Sequence, residues 1–275
     1  MAETFDIVSG RARLAAEAAG EGTPVVLLHA GVCDRRMWRS QVEAVAHGGF
    51  RAVAYDRRGH GETLHADERW SQLGDLDAVL DRVAPRAQAI LVGCSLGGGI
   101  AVDAALERPS RVRGMVLVAP SVSGGPELAT LPEPIQAWID RMEHAEAASD
   151  IDRINALEAH AWLDGPLARE GRVGGAVREL FLAMNELALR SEPRGDEEKP
   201  RASCHRLRDI RIPTLVVWGD LDFPDVVAAC EHMCTAVPQA RRHVFAGAAH
   251  LPNLEQPAAF NRLLADFCRD CVSRP

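Results

Sequence analysis

The 275-residue chain has no long apolar run, no excess of basic charge and no even, regularly spaced set of cysteines. Each absence excludes something. Without about 18 consecutive apolar residues, no segment reads as a membrane span. With 31 Lys and Arg against 39 Asp and Glu, the net charge is −8 and no basic stripe accompanies it, which excludes nucleic acid as the expected partner. The start, "MAETFDIVSG", lacks a basic stretch followed by an apolar one, so no secretory signal is read there and a cytoplasmic location is the expectation. The seven cysteines are odd in number and mostly sit in apolar runs, which predicts reduced, buried thiols rather than a disulfide framework. Two groups have metal-like spacing, Cys230/His232/Cys234 and Cys268/Cys271. Both fall in helical patterns and neither has a second half, so no metal is expected.

What is present is the composition of a soluble globular protein, 47% hydrophobic and 25% charged. Two short strands joined at Ser9-Gly10 come first. After them "PVVLLH" (24–29), "FRAVAYD" (50–56), "AQAILVG" (87–93) and "VRGMVLVAP" (112–120) read as strands, with helices at 37–46, 71–83 and 95–109 between them. The runs are apolar throughout rather than at alternate residues, the mark of a parallel sheet covered on both faces. The fold class is therefore α/β, doubly wound. From Ser121 to about residue 205 the pattern is helical with no convincing strand, ending in the charged "SEPRGDEEKPR". The sheet rhythm returns with "IPTLVVWG" (212–219) and "ARRHVFAG" (240–247). The expected organisation is a core from 1–120 and 206–275, interrupted by a helical cap at 121–205 over the strands' C-terminal ends, where open α/β sheets bind ligands.

"GCSLGG" (93–98) joins a strand to a helix and fits G-x-S-x-G. In that pattern the turn is so sharp that Ser95 takes a strained backbone conformation, its neighbours must be small, and its hydroxyl is exposed at a helix N-terminus. A serine nucleophile needs a base, and the base an orienting carboxylate, in the order Ser, acid, His on later loops. His250 lies in "VFAGAAHLPNLEQP", between the last strand and the last helix. Three acids are offered by "GDLDFPD". Asp220, at the strand end, suits capping its own turn, and Asp225, after Pro224, suits a helix start. Asp222 at the loop apex is left to orient His250. An oxyanion needs two backbone N–H donors. Leu96, next to the nucleophile, and Gly31, in the small-residue loop "HAGVCD", are the candidates, with His29 bracing that loop. In the cap, Trp138 and Trp162 are the expected large pocket-lining residues and are taken to set substrate choice. No basic cluster is evident, which favours a neutral or singly charged small substrate over a dicarboxylate.

Taken together, "LLHAGVCDRRMW", "YDRRGHGET", "GCSLGG", "WGDLDFPD" and "GAAHLPNLEQP" resemble the α/β-hydrolase superfamily, in its serine-nucleophile branch of 3-oxoadipate enol-lactonase and related carboxylesterases. The resemblance covers about residues 20–120 and 205–272 and says little of the cap. It implies a mostly parallel eight-stranded sheet with the cap inserted after the sixth strand. It further implies a Ser95–Asp222–His250 triad, no cofactor, and a small-molecule substrate. Ala30 departs from the glycine more usual after the loop histidine. The nucleophile is serine, so the alkyl-enzyme chemistry of haloalkane dehalogenases and epoxide hydrolases, which uses aspartate at that position, is not expected. The reading is a serine hydrolase of a small carboxylic ester or lactone. The alternatives are a C–C bond hydrolase, thioesterase, or lyase or cyclase using the same triad, and a non-catalytic ligand-binding member. A homo-oligomer stays open.

Overall fold

A computed structural model describes residues 2–124 and 132–273. The chain runs β1 (Glu3–Ser9), β2 (Ala12–Ala19), β3 (Pro24–Leu28), α1 (Arg39–His47), β4 (Arg51–Tyr55), β5 (Glu68–Trp70), α2 (Gln72–Val83), β6 (Ala89–Cys94), α3 (Leu96–Glu107) and β7 (Val112–Val118). It continues with α4 (Glu133–Ala147), α5 (Ile151–Glu158), α6 (Gly175–Leu189), β8 (Gly195–Glu197), β9 (Thr214–Gly219), α7 (Pro224–Ala236), β10 (Ala240–Phe245), α8 (Pro252–Glu255) and α9 (Pro257–Ser273). Eight strands form one sheet in the order β1-β2-β4-β3-β6-β7-β9-β10. The β1/β2 and β2/β4 pairs are antiparallel and the remaining pairs parallel.

Strands β3, β6 and β9 are buried at every residue, because helices cover both faces and no side chain has a solvent side. One face packs against α2, α3 and α7, with Leu76, Val79, Leu80, Ile100 and Met233 among the buried side chains. The other packs against α1 and α9. In α9 the buried residues are Phe260, Leu264, Phe267, Cys268 and Cys271, a helical stripe. The C-x-x-C pair is thus part of the core face. β3 lies between β4 and β6, so the strand order reverses there, and the crevice beyond the ends of β3 and β6 is the place where such sheets take ligands.

Between β7 and β9 the chain forms α4, α5 and α6; of the expected 121–205 cap, residues 125–131 lie outside the described residues. This segment also holds a strand that the sequence pattern did not announce. β8 pairs in parallel with β5 as a separate two-stranded ribbon, Glu68–Trp70 against Gly195–Glu197. Three residues each, largely polar and with no alternation, these strands carry no periodic signal. Among the described residues no helix is long and apolar enough to cross a membrane.

Candidate active site

β6 ends at Cys94 and α3 begins at Leu96, so Ser95 alone makes the turn, with φ 53° and ψ −117°. A non-glycine residue there costs on the order of 1–3 kcal/mol and persists only if its surroundings hold it. Here the Ser95 amide donates to Val118 O at 2.8 Å, while its carbonyl accepts from Gly99 N at 3.0 Å and Ser121 N at 2.9 Å. The small neighbours have a steric cause. A Cβ on Gly97 would lie 2.3 Å from Leu28 O and 2.7 Å from His29 O, so the first turn of α3 rests directly on the end of β3. The Ser95 side chain makes no cap hydrogen bond, and among the described residues its hydroxyl has no hydrogen-bond partner. Cys94 beside it is fully buried, and burial pushes its thiol well above the ordinary range, as expected of an inert residue.

The loops after β9 and β10 are sewn to each other. Asp220 N donates to Phe245 O at 3.2 Å, Leu221 N to Ala248 O at 2.9 Å, and Gly247 N to Asp220 Oδ1 at 2.7 Å. Asp220 therefore caps the neighbouring turn rather than its own. A Cβ on Gly219 would fall 2.1 Å from Ala248 O, so only glycine admits this approach. Its consequence is that His250 Nδ1 donates to Asp222 Oδ2 at 2.7 Å, with both residues buried. Asp222 Oδ1 accepts from Phe223 N at 2.8 Å, which fixes the carboxylate's plane. His250 Nε2 is left without a protein partner among the described residues. It belongs to a cavity of about 370 Å³ that Ser95 also lines.

That cavity is bounded by Ala119 to Val122, Trp162 and one face of α7. Trp162 stacks on His250 at 4.6 Å between ring centroids and on Phe223 at 4.7 Å. It sits in a π-helical turn, Ala159–Asp164, that prolongs α5. Arg172 anchors this turn to the His250 loop: it donates to Leu163 O and Asp164 O, to Gly247 O at 2.9 Å, and to Glu255 at 2.5 Å. Glu255 in turn accepts from Ala249 N at 2.8 Å, one residue before His250.

Of the residues expected from sequence, Ser95, His250 and Trp162 meet at this cavity and Asp222 lies behind His250. Trp138 does not line it. Its indole N–H donates to Leu157 O at 3.0 Å and its ring packs edge-on against Phe223, which ties α4 to α5 and to the start of α7. The expected cap, 121–205, shares the wall with α7. Asp225, Val226, Ala229, His232 and Met233 present one side of α7 to the cavity, a helical spacing visible in the sequence but read there only as a helix. Asp225 is in the first turn of α7, as expected, and is exposed at the cavity as well.

Leu96 is the first residue of α3, and Gly31 lies half-buried in the loop after β3, with nothing within 4 Å of the place a Cβ would occupy. The loop is braced from beneath. His29 Nε2 accepts from Arg57 N at 3.0 Å, so Nδ1 carries the proton and donates to Ala30 O at 2.8 Å. Arg57 Nη2 also donates to Ala30 O, at 3.1 Å. Ala30 O and the Gly31 N–H belong to one trans peptide unit and point in opposite directions. Two donors on the carbonyl, one of them charged, therefore turn the Gly31 N–H away from Arg57 and polarise it as a donor. Burial, with the Arg57 charge adding to it, holds His29 well below its ordinary range and keeps it neutral. Arg57 is itself buried with no ion pair to a carboxylate among the described residues, and burial lowers it to about 10. In sequence it is indistinguishable from the adjacent Arg58, which is a conventional ion-pair residue bound to Asp75 at 2.9 Å and to Glu68 at 2.5 Å.

A shared strand-to-helix serine, a buried Asp–His pair and a braced loop at the switch point define an α/β hydrolase. The chain belongs to the Alpha/beta hydrolase family, whose sequence pattern matches residues 25–263, and it is a hydrolytic enzyme. It is 25% identical over 272 residues to the pimeloyl-[acyl-carrier protein] methyl ester esterase of Vibrio atlanticus (strain LGP32), covering 91% of this chain and 96% of that one. It is 27% identical over 262 residues to the 2-hydroxy-6-oxononadienedioate/2-hydroxy-6-oxononatrienedioate hydrolase of Comamonas testosteroni, covering 90% and 88%. Among solved structures it resembles Est816, described as an N-acyl homoserine lactone degrading enzyme, with 25% identity, a TM-score of 0.73, and 95% and 99% of the two chains covered.

Proposed function

We propose that the chain is a serine hydrolase that cleaves a small carboxylic ester or lactone through an acyl-enzyme. The carrying observation is the buried Asp222–His250 hydrogen bond at the edge of a cavity that also holds the free hydroxyl of Ser95. Ser95 Oγ attacks the carbonyl carbon as His250 Nε2 takes its proton. Asp222 keeps the His250 proton on Nδ1 and stabilises the imidazolium. The N–H groups of Leu96 and Gly31 receive the oxyanion. His250 then gives its proton to the leaving oxygen, and a water activated by His250 releases the acid.

The similarity to the Comamonas protein supports a second reading, cleavage of a C–C bond next to a carbonyl by the same groups. That relative acts, by its name, on a dioate. The residues lining the Ser95 cavity include Asp225 but no Lys or Arg, which favours a neutral ester over a dianion. Turnover of 4-nitrophenyl acetate, measured against Ser95→Ala, tests the proposal. Hydrolysis lost in the variant is expected. A wild type no faster than Ser95→Ala on a panel of esters and lactones overturns it, and is also the outcome for a non-catalytic ligand-binding member.

A further inference from the structure

A second and larger cavity, of about 580 Å³, opens on the other side of Leu96. It includes neither Ser95 nor His250. Ser121 lines both cavities. Its size lies within the range of small-ligand sites. Leu96, Gly99, Ile100 and Leu73 give it an apolar stretch of wall. Leu96 is a large apolar side chain left 38% exposed beside the reacting group. Further in, Gln72 is only 8% exposed and faces the cavity, yet its carboxamide has no hydrogen-bond partner among the described residues. Buried amides are normally paired, so an unpaired one on a cavity wall points to a ligand.

The charges around it specify what kind. Arg108 pairs with Asp77 at 3.2 Å and Glu198 with Arg69 at 2.5 Å. The buried Asp103 accepts from Ser203 Oγ. Burial raises Asp103 toward its neutral form. The exposed Lys199 is the one lining cation without an ion pair among the described residues, and it stands against three lining acids, Asp77, Asp103 and Glu197, which a carboxylate arm would also meet. The position of His250 decides which half of the substrate lies here. Since His250 must protonate the leaving oxygen, the cavity that contains it takes the alcohol side. The cavity behind Leu96 is left for the acyl side.

We propose that this second cavity is an acyl-arm subsite for a neutral hydrocarbon chain carrying an amide, whose N–H and C=O pair reciprocally with the Gln72 carboxamide. The assignment rests on the ester-hydrolase reading above.

The test compares three 4-nitrophenyl esters with the wild type and Gln72→Leu: the 4-acetamidobutanoate, the heptanoate of equal chain length, and the hemi-glutarate, each normalised to the acetate. The wild type is expected to prefer the acetamido arm over the heptanoyl arm, and the glutaryl arm least. In Gln72→Leu the acetamido-to-heptanoyl ratio falls about thirtyfold, the size of two lost neutral hydrogen bonds. A ratio within twofold of wild type, or a preference for the glutaryl arm, overturns the subsite. Calorimetric binding of the matching methyl ketones separates the two readings. If no ester is turned over but the acetamido ketone binds more tightly than its alkyl counterpart in a Gln72-dependent way, the subsite stands and the hydrolase reading fails. Equal binding of the two ketones refutes the subsite.

Discussion

Replacing Asp222 by Asn changes one atom of the side chain, and the structure dictates where the new N–H₂ must go. Asp222 Oδ1 accepts from the Phe223 amide at 2.8 Å while Oδ2 accepts from His250 Nδ1 at 2.7 Å. In the variant, an amide nitrogen facing Phe223 N–H would set donor against donor. The Asn oxygen therefore stays on Phe223, and its N–H₂ turns to His250. Nδ1 then accepts, the imidazole proton moves to Nε2, and the nitrogen that should receive the Ser95 proton already carries one. The expected loss is on the order of 10⁴ in kcat, the size found when the same change is made in another Ser-His-Asp enzyme, equivalent to about 5.4 kcal/mol of transition-state stabilisation. KM should change little, because the substrate does not touch Asp222. Initial rates on 4-nitrophenyl acetate, with circular dichroism to verify the fold, measure both. Asp225→Asn is the control: exposed at the cavity and bonded to neither Ser95 nor His250, it should alter kcat by less than about tenfold. Residual activity above about 1% in Asp222→Asn, or an inactive Asp225→Asn, refutes the tautomer argument.

Trp162→Ala should re-rank esters of different alcohol size, since the ring covers His250, whereas Trp138→Ala should cost about 2–4 kcal/mol of stability and leave the ranking unchanged. A re-ranking by Trp138→Ala alone would reverse their assignment. Gly97→Ala should cost about 3 kcal/mol or more because its Cβ meets the Leu28 and His29 carbonyls, while Gly31→Ala, with nothing within 4 Å, should cost under about 1 kcal/mol in urea denaturation. His60, like His29, is held well below the ordinary histidine value by burial and by Arg57. The unfolded chain therefore binds a proton at His60 below pH 6.5 that the folded chain refuses, and stability falls as pH drops through that value. Each such histidine contributes about 1.4 kcal/mol per pH unit. Asp56, raised to about 6 by burial, acts in the opposite direction below pH 6 because the folded state takes its proton first. The stability difference between wild type and His60→Gln should therefore change by about 1.4 kcal/mol per unit between pH 6 and 5, and a pH-independent difference contradicts the assignment.

How far these features could be read from sequence depended on whether they were local. β3, β6 and β9 were legible because strands buried on both faces are apolar without interruption. β5 and β8 were not, since each is defined only by its pairing with the other across more than a hundred residues. Ser95 and His250 announce themselves through glycine spacing and position after a strand, and Asp222 could be singled out from three neighbouring acids by what its neighbours are needed for. Trp138 and Trp162 could not be told apart. Both fall in helical patterns, and the one that reaches His250 does so from a π-helical turn whose anchor is Arg172, on the far side of a loop. Arg57 was hidden for a related reason, because its role lies in what it is not paired with. Gln72 and the side of α7 that walls the cavity have ordinary helical spacing, and only the space beside them sets them apart.

The central claim is that Ser95 is the nucleophile, and its reactivity can be read directly. After treatment with a fluorophosphonate probe, intact-mass analysis should show one adduct, and peptide mapping should place it on Ser95 and leave Cys94 unmodified. The label should be absent from Ser95→Ala and much slowed in Asp222→Asn. An adduct that persists in Ser95→Ala, or that maps to another residue, contradicts the account.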